Sequence, residues 1–288
     1  MLATAAATTE SFILELEGQS FPVQRADGGA PVGVVVESPA GTSPFREKHL
    51  TGVQYEPLKI VVGSFEASQK PLFEWVKTAW QGTHVQKSGA MMRVDANGRP
   101  VSRREFVKAV VAETIIPELD GSSHDAAVVT VTLVPELTRD VTPPATLPPH
   151  GSGNHPTTLM SSNFRLSIGG LDCTRVSKID SFTVTQNAAG ALEFPNLRIE
   201  LAASSAETWR AWFSTFVIAG NSTTANEKSG SLSFLTPNLA SVLATISFQN
   251  LGIFRLEAAP AAASGEVSRL VADLYCERMD LAIGSLGL

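Results

Sequence analysis

Apolar residues recur in short alternating runs along this 288-residue chain, and the runs form two matching series. "FILELEG" from Phe12 and "FRLSIGG" from Phe164 place apolar side chains at every second position, and each run turns at glycine. "LKIVVGS" from Leu58 and "LRIELAA" from Leu197 alternate in the same way, which is the period of a strand with one buried face. The period then changes. Leu72, Trp75, Val76, Ala79 and Trp80 fall on one helical face, and Trp209, Trp212, Phe213, Phe216 and Val217 take the same five places in the second series. Ser68 and Ser205 stand where a hydroxyl caps a first turn, so helices are expected near 68–80 and 205–217. Trp75, Trp212, Leu72 and Trp209 are the expected core anchors, because a helix so aromatic on one face needs a sheet beneath it.

The same start signal follows each helix: "KSGAMMRV" from Lys87 and "KSGSLSFL" from Lys228. "DANGRP" and "TPNLAS" then supply turns, and Asn97-Gly98 is a hairpin signal because both residues tolerate positive φ. "REFVKAVV" and "TISFQNLGIF" continue the strands, and "VVTVTLV" and "LVADLYC" close the series. The expected fold is mainly β, with two tandem antiparallel β-sandwich or barrel domains and one flanking helix per unit. The domains are placed at 10–140 and 161–285, joined by a Pro/Gly-rich linker over 141–160. The first unit carries an extra segment before its helix, read as a long projecting hairpin. Val34, Val35, Val36 and Phe45 are apolar within that polar, Gly/Pro-rich stretch, so they are the expected assembly residues.

Composition narrows the chemistry. With 43% apolar and 17% charged residues the chain can bury a core, and a formal charge of −6 without a basic block argues against a nucleic-acid groove. Cys173 and Cys276 are too few for a disulfide scaffold; buried thiols in a reducing cytoplasm are expected, with a pair between them the alternative. The opening "MLATAAATTE" has neither a basic nor an apolar leader pattern, and no apolar run is long enough for a membrane helix. Serine-hydrolase elbows, phosphate loops and zinc or calcium spacings are missing from the sequence. His150 and His155 share the linker, where a weak metal site is less favoured than a solvated segment. No catalysis, cofactor or metal is expected.

Four segments of the first series carry a resemblance: "REKHLTGVQYEPLKIVVGS", "PLFEWV", "MMRVDANGRPVSRREF" and "AETIIPELDGSSHDAAVVTVTLVPE". Leu50-Thr51-Gly52 before a strand, Leu72 and Trp75 on the helix, and Pro117, Leu119-Asp120 and Glu136 around the closing Val-rich strand are its specific positions. Together they resemble the tail tube proteins of contractile-tailed bacteriophages and of extracellular contractile injection systems. The resemblance covers roughly residues 10–140, and 160–282 more weakly. It implies a small β-sandwich or barrel with a helix alongside, six such units joining their sheets into a ring, and rings stacking into a tube. A tandem copy then implies a trimer with pseudo-sixfold symmetry, or else a hexamer. The implied partners are further copies of the chain and other tube, sheath or baseplate proteins, with transient passage of DNA or protein payload and no membrane. Assembly would begin in the bacterial cytoplasm, and the station could be bulk tube, initiator, terminator or cap. A two-domain β-sandwich binding carbohydrate or protein is the alternative.

Overall fold

A computed structural model describes residues 11–38, 45–149, 158–187, 189–259 and 268–284. The first half of the chain contributes β1 (Ser11–Leu16), β2 (Gln19–Val23), β3 (Arg25–Gly28), β4 (Pro31–Glu37), β5 (Lys48–Tyr55), β6 (Leu58–Val62), α1 (Lys70–Trp80), β7 (Lys87–Val94), β8 (Pro100–Ile116), β9 (Leu119–Asp120), β10 (Val129–Val134) and β11 (Leu137–Val141). The second half contributes β12 (Phe164–Ile168), β13 (Val176–Ile179), β14 (Phe182–Gln186), β15 (Leu192–Glu193), β16 (Leu197–Ala202), α2 (Glu207–Phe213), β17 (Lys228–Leu235), β18 (Val242–Ala258) and β19 (Arg269–Ile283). The protein is mainly β, and every strand pairing with a described register is antiparallel.

Two compact units emerge, and they are not the two consecutive halves that the repeated pattern suggests. The first gathers 1–60, 86–111 and 132–151, and the second gathers 61–85, 112–131 and 152–288. In the first unit β2, β1, β7 and β8 lie side by side, with β11 along the N-terminal part of β8. Ile13, Met92 and Val94 form a small buried cluster there, roofed by Leu147.

The second unit is built on the order β12-β17-β18-β19-β16-β13-β9. It takes α1 and the 112–131 segment from the first half of the chain because their apolar faces are covered there. Helix α1 packs against β19. Phe65 stacks on Phe73 at 4.8 Å and on Phe234 at 5.3 Å between ring centroids, both tilted as aromatic pairs prefer. Leu119 of β9 pairs with Ile179 of β13. The linker expected over 141–160 is shorter than composition suggests. Leu159 is fully buried, its N–H donates to the Gly63 carbonyl at 2.8 Å, and its own carbonyl accepts from Ala127. His150 and His155 lie outside the described residues.

The repeated Lys-Ser-Gly has a physical cause. Both copies sit at a register shift, between Lys87 and Gly89 against β8 and between Lys228 and Gly230 against β18. The facing strands carry Lys108 and Asn250 at positive φ, 48° and 54°, so each site is an irregularity that bends its pair of strands. A Cβ on Gly89 would overlap the Glu15 carbonyl oxygen and press on the Phe106 ring, and one on Gly230 would sit 2.7 Å from the Ser167 carbonyl. Glycine is required because the neighbouring backbone passes too close for any side chain. The lysines tie down the adjoining turns: Lys87 Nζ is 2.7 Å from Glu17 Oε2, and Lys228 Nζ donates to the Gly169 carbonyl at 2.9 Å.

Local details depart from the sequence reading in three places. The Asn97-Gly98 turn is a longer loop in which only Gly98 has positive φ, because the Asp95 carboxylate accepts from the N–H groups of Asn97 and Arg99 and holds Asn97 out of the left-handed region. Neither Ser68 nor Ser205 caps a helix. A short 3₁₀ turn precedes each, and before α1 the reciprocal cap is made by Glu66 and Gln69. Beyond Phe213 the second helix runs on as a π turn, Ser214–Ile218, with Ala219 N–H donating to Ser214 O. The wider turn rotates the stripe, so Phe216 is buried while Val217 and Ile218 face solvent.

Several carboxylates are held below their usual range. Hydrogen bonds from Arg104 lower Asp140, those from Arg139 lower Glu105, and those from the Ser122 hydroxyl and backbone lower Asp120. A carboxylate lowered by folding stabilises the native state above its unfolded pKa and stops doing so as pH falls through its folded value. Thermal stability is therefore expected to be steady from neutral pH to about 5 and to fall progressively below about 4. Melting curves across that range check this; a midpoint that rises on acidification would contradict it.

Candidate assembly surface

Strands β4 and β5 form a two-stranded ribbon belonging to the first unit, paired among the described residues with each other alone. Antiparallel register sets Val35 opposite Leu50 and Gly33 opposite Val53, with a shift between Val34 and Val35. Side chains alternate across a ribbon, so Val35, Leu50 and Val53 share one face, and Leu50 lies over Gly33. That face is open: Leu50 is 70% exposed, and Val35 and Val53 are each 59% exposed. Val32, Val34 and Val36 stand on the opposite face, where Val34 is half-buried and the other two are exposed. The loop end of the ribbon is bound by ion pairs, with Glu37 2.8 Å from Lys48 and 3.3 Å from Arg46.

Of the four residues expected to contact partners, Val35 and Phe45 are the most exposed, and Phe45 is 77% accessible. Leu50 and Val53 were not expected. Alternation alone sets Leu50 and Val53, three positions apart, on opposite faces; the register shift between Val34 and Val35 brings them to one face, and nothing in the sequence announces that shift.

The four expected anchors lie elsewhere, inside the second unit. Leu72, Trp75 and Trp209 are essentially inaccessible, and Trp212 is 7% exposed. Each indole N–H finds a carbonyl: Trp75 donates to Val85 at 2.9 Å, Trp209 to Asp172 at 2.8 Å and Trp212 to Asn226 at 3.3 Å. The Trp212 ring also lies under Lys228 Nζ, 5.4 Å from its centroid. Nearby, Tyr275 donates to Glu227 at 2.7 Å, and burial with that acceptor pushes its phenol up to about 12. Cys173 and Cys276 form no disulfide; Cys276 is buried, which pushes its thiol up to about 11, and Cys173 is half-buried. Among the described residues no cluster of three His, Cys, Asp or Glu is placed to hold a metal, and no helix is long and apolar enough to cross a membrane.

An exposed apolar face such as the ribbon's is a surface suited to contact with a partner. Residues 11–138 match the family model described as T4-like virus tail tube protein gp19, and this match supports a structural tail role. Solved structures with local likeness include a sheath–tube complex of the PVC extracellular contractile injection system, at 18% identity, 45% of this chain, 87% of the other and a TM-score of 0.39. They also include the anti-feeding prophage baseplate, at 16% identity, 49% and 97% coverage and 0.40. Hcp1 from Flavobacterium johnsoniae matches at 13% identity, with 45% and 94% coverage and 0.31. No curated protein sequence gives a match to the chain. The functional assignment rests on the family match.

Proposed function

We propose that the chain is a ring-forming subunit of a phage tail or tail-like injection particle, carrying two variants of one tube unit in tandem. Three chains would then complete a pseudo-sixfold ring, and the ring would be a conduit for DNA or protein. The role is structural, without catalysis or cofactor. Assembly begins in the bacterial cytoplasm, and the partners are further copies together with other tube, sheath or baseplate proteins. The observation that carries this reading is the exposed Val35, Leu50 and Val53 face, within the segment that matches the tail tube family model. The correspondence of the two Lys-Ser-Gly sites supports the tandem unit. A net charge of −6 without a basic block suits a bore that does not retain phosphates.

The triple variant Val35→Ser, Leu50→Ser, Val53→Ser is expected to stay folded and to self-associate at least about tenfold more weakly, a loss of about 1.4 kcal/mol or more. Analytical ultracentrifugation of the full chain reads both the association and the stoichiometry. Three chains per closed species supports the pseudo-sixfold ring, six supports a hexamer, and a wild-type monomer at every concentration overturns the reading.

A further inference from the structure

Within the second unit, the C-terminal end of β8 is covered. Glu113–Ile116 pair antiparallel with β14, Phe182 opposite Ile116 and Thr185 opposite Glu113. The Ser181 hydroxyl also donates to the Ile116 carbonyl at 2.9 Å. Strand β14 therefore lies between β15 and β8.

Strand β18 is built like β8. Both are 17 residues long. Phe106 faces Gly89 and Phe248 faces Gly230, and Lys108 and Asn250 carry the positive φ two residues on. Yet past Leu251, β18 pairs among the described residues with β19 alone. Strand β4 in turn holds the place of β14. β3 lies beside β6 as β13 lies beside β16, and in each case the next strand opens a hairpin, β4–β5 or β14–β15. Among the described residues β4 has β5 as its single neighbour. Each of these two edges lacks the partner its counterpart has, and the missing partner of one has the form of the other.

We propose that the Phe254–Ala258 edge of β18 adds antiparallel to β4 of a second copy of this chain, repeating between chains the β8–β14 pairing found within one. The proposal rests on the ring reading above and specifies its joint. Backbone direction is right on both sides. Ala259 N–H donates to Arg269 O, so Glu257 and Arg255 also face β19 and the polar groups of Leu256 and Ala258 point outward. Glu56 N–H donates to Ala30 O and Ser38 N–H donates to Glu47 O, so Gly33, Val35 and Glu37 point away from β5. Two rows of outward N–H and C=O groups, flanked by exposed valines on β4 and by exposed Phe254 on β18, form a pairing template, not a protected edge. The contact is heterologous, so it propagates from copy to copy and ends only when a ring closes.

Proline removes an outward N–H without touching the inner ladder. Leu256→Pro and Val35→Pro are each expected to leave circular dichroism and melting temperature close to wild type, and to leave the full chain monomeric at concentrations where wild type assembles. Mixed in equal amounts, they should form a one-to-one dimer and nothing larger, because one intact edge of each kind remains. Where Leu256→Pro fails to fold, Ala258→Pro tests the same edge at an exposed position. Native mass spectrometry reads every species. Folded variants that assemble like wild type, or a mixture that stays monomeric, overturn the joint while leaving the ring reading standing; a wild-type chain that never assembles overturns both.

Discussion

Replacing Trp75 with alanine is expected to remove about 3–5 kcal/mol of stability, the usual loss for a large aromatic deleted from a packed core. Trp75 is 1% exposed, between two other buried residues of its face, Leu72 and Val76, and its indole N–H is bound to the Val85 carbonyl. The variant loses dispersion contacts and leaves that carbonyl without its donor. Trp209→Ala should behave alike, since that ring is fully buried and bonded to Asp172. Val217→Ala is the control. Its position was expected on the buried stripe but is 38% exposed, so the change should stay within about 0.5 kcal/mol. Urea denaturation followed by tryptophan-independent circular dichroism measures all three. A Trp75 variant as stable as wild type would mean that the helix face is not a core.

The second large effect is expected at Gly89. Alanine there directs a methyl into the Glu15 carbonyl and the Phe106 ring, and the carbonyl belongs to the β1–β7 ladder, which cannot yield without losing pairing. A cost of about 1–3 kcal/mol follows from overpacking, with loss of ladder bonds added. Gly52→Ala is the matched comparison, because no atom lies within 4 Å of a Cβ at that position. Thermal melts of the two variants should differ clearly; equal midpoints would show that the bend at Lys87–Gly89 relaxes freely.

How much of this was readable beforehand follows from which forces are local. Alternation revealed most strands, since Val129, Val131 and Leu133 are buried on one face as their period demands. Leu72, Trp75, Trp209 and Trp212 are buried, as a stripe of tryptophans at helical spacing has few other places to go. Turn chemistry was read less well. Asn97-Gly98 looked like a tight turn, and the carboxylate of Asp95 two residues earlier reorganised it. The π turn after Phe213 has no sequence signature that separates it from a continuing helix. Compact-unit boundaries were hidden for a deeper reason. Which sheet covers a helix is a tertiary choice, and a pattern that repeats along the chain does not record where its partners come from. The edge of β18 was likewise silent, because an unpaired strand and a paired one share the same alternation.

The composition of the second unit bears on how the protein is made. It combines residues 61–85 and 112–131 with 152–288, and α1 packs on β19, which ends at Ile283. During translation the aromatic face of α1 leaves the ribosome well before the strand that covers it. At ordinary elongation rates that gap lasts roughly ten seconds or more. Throughout that interval Leu72, Phe73 and Trp75 are available to a chaperone or to another nascent chain. A gene cut at the Pro/Gly-rich stretch would lengthen the exposure indefinitely, so the two halves are expected to be recovered soluble only when synthesised as one polypeptide.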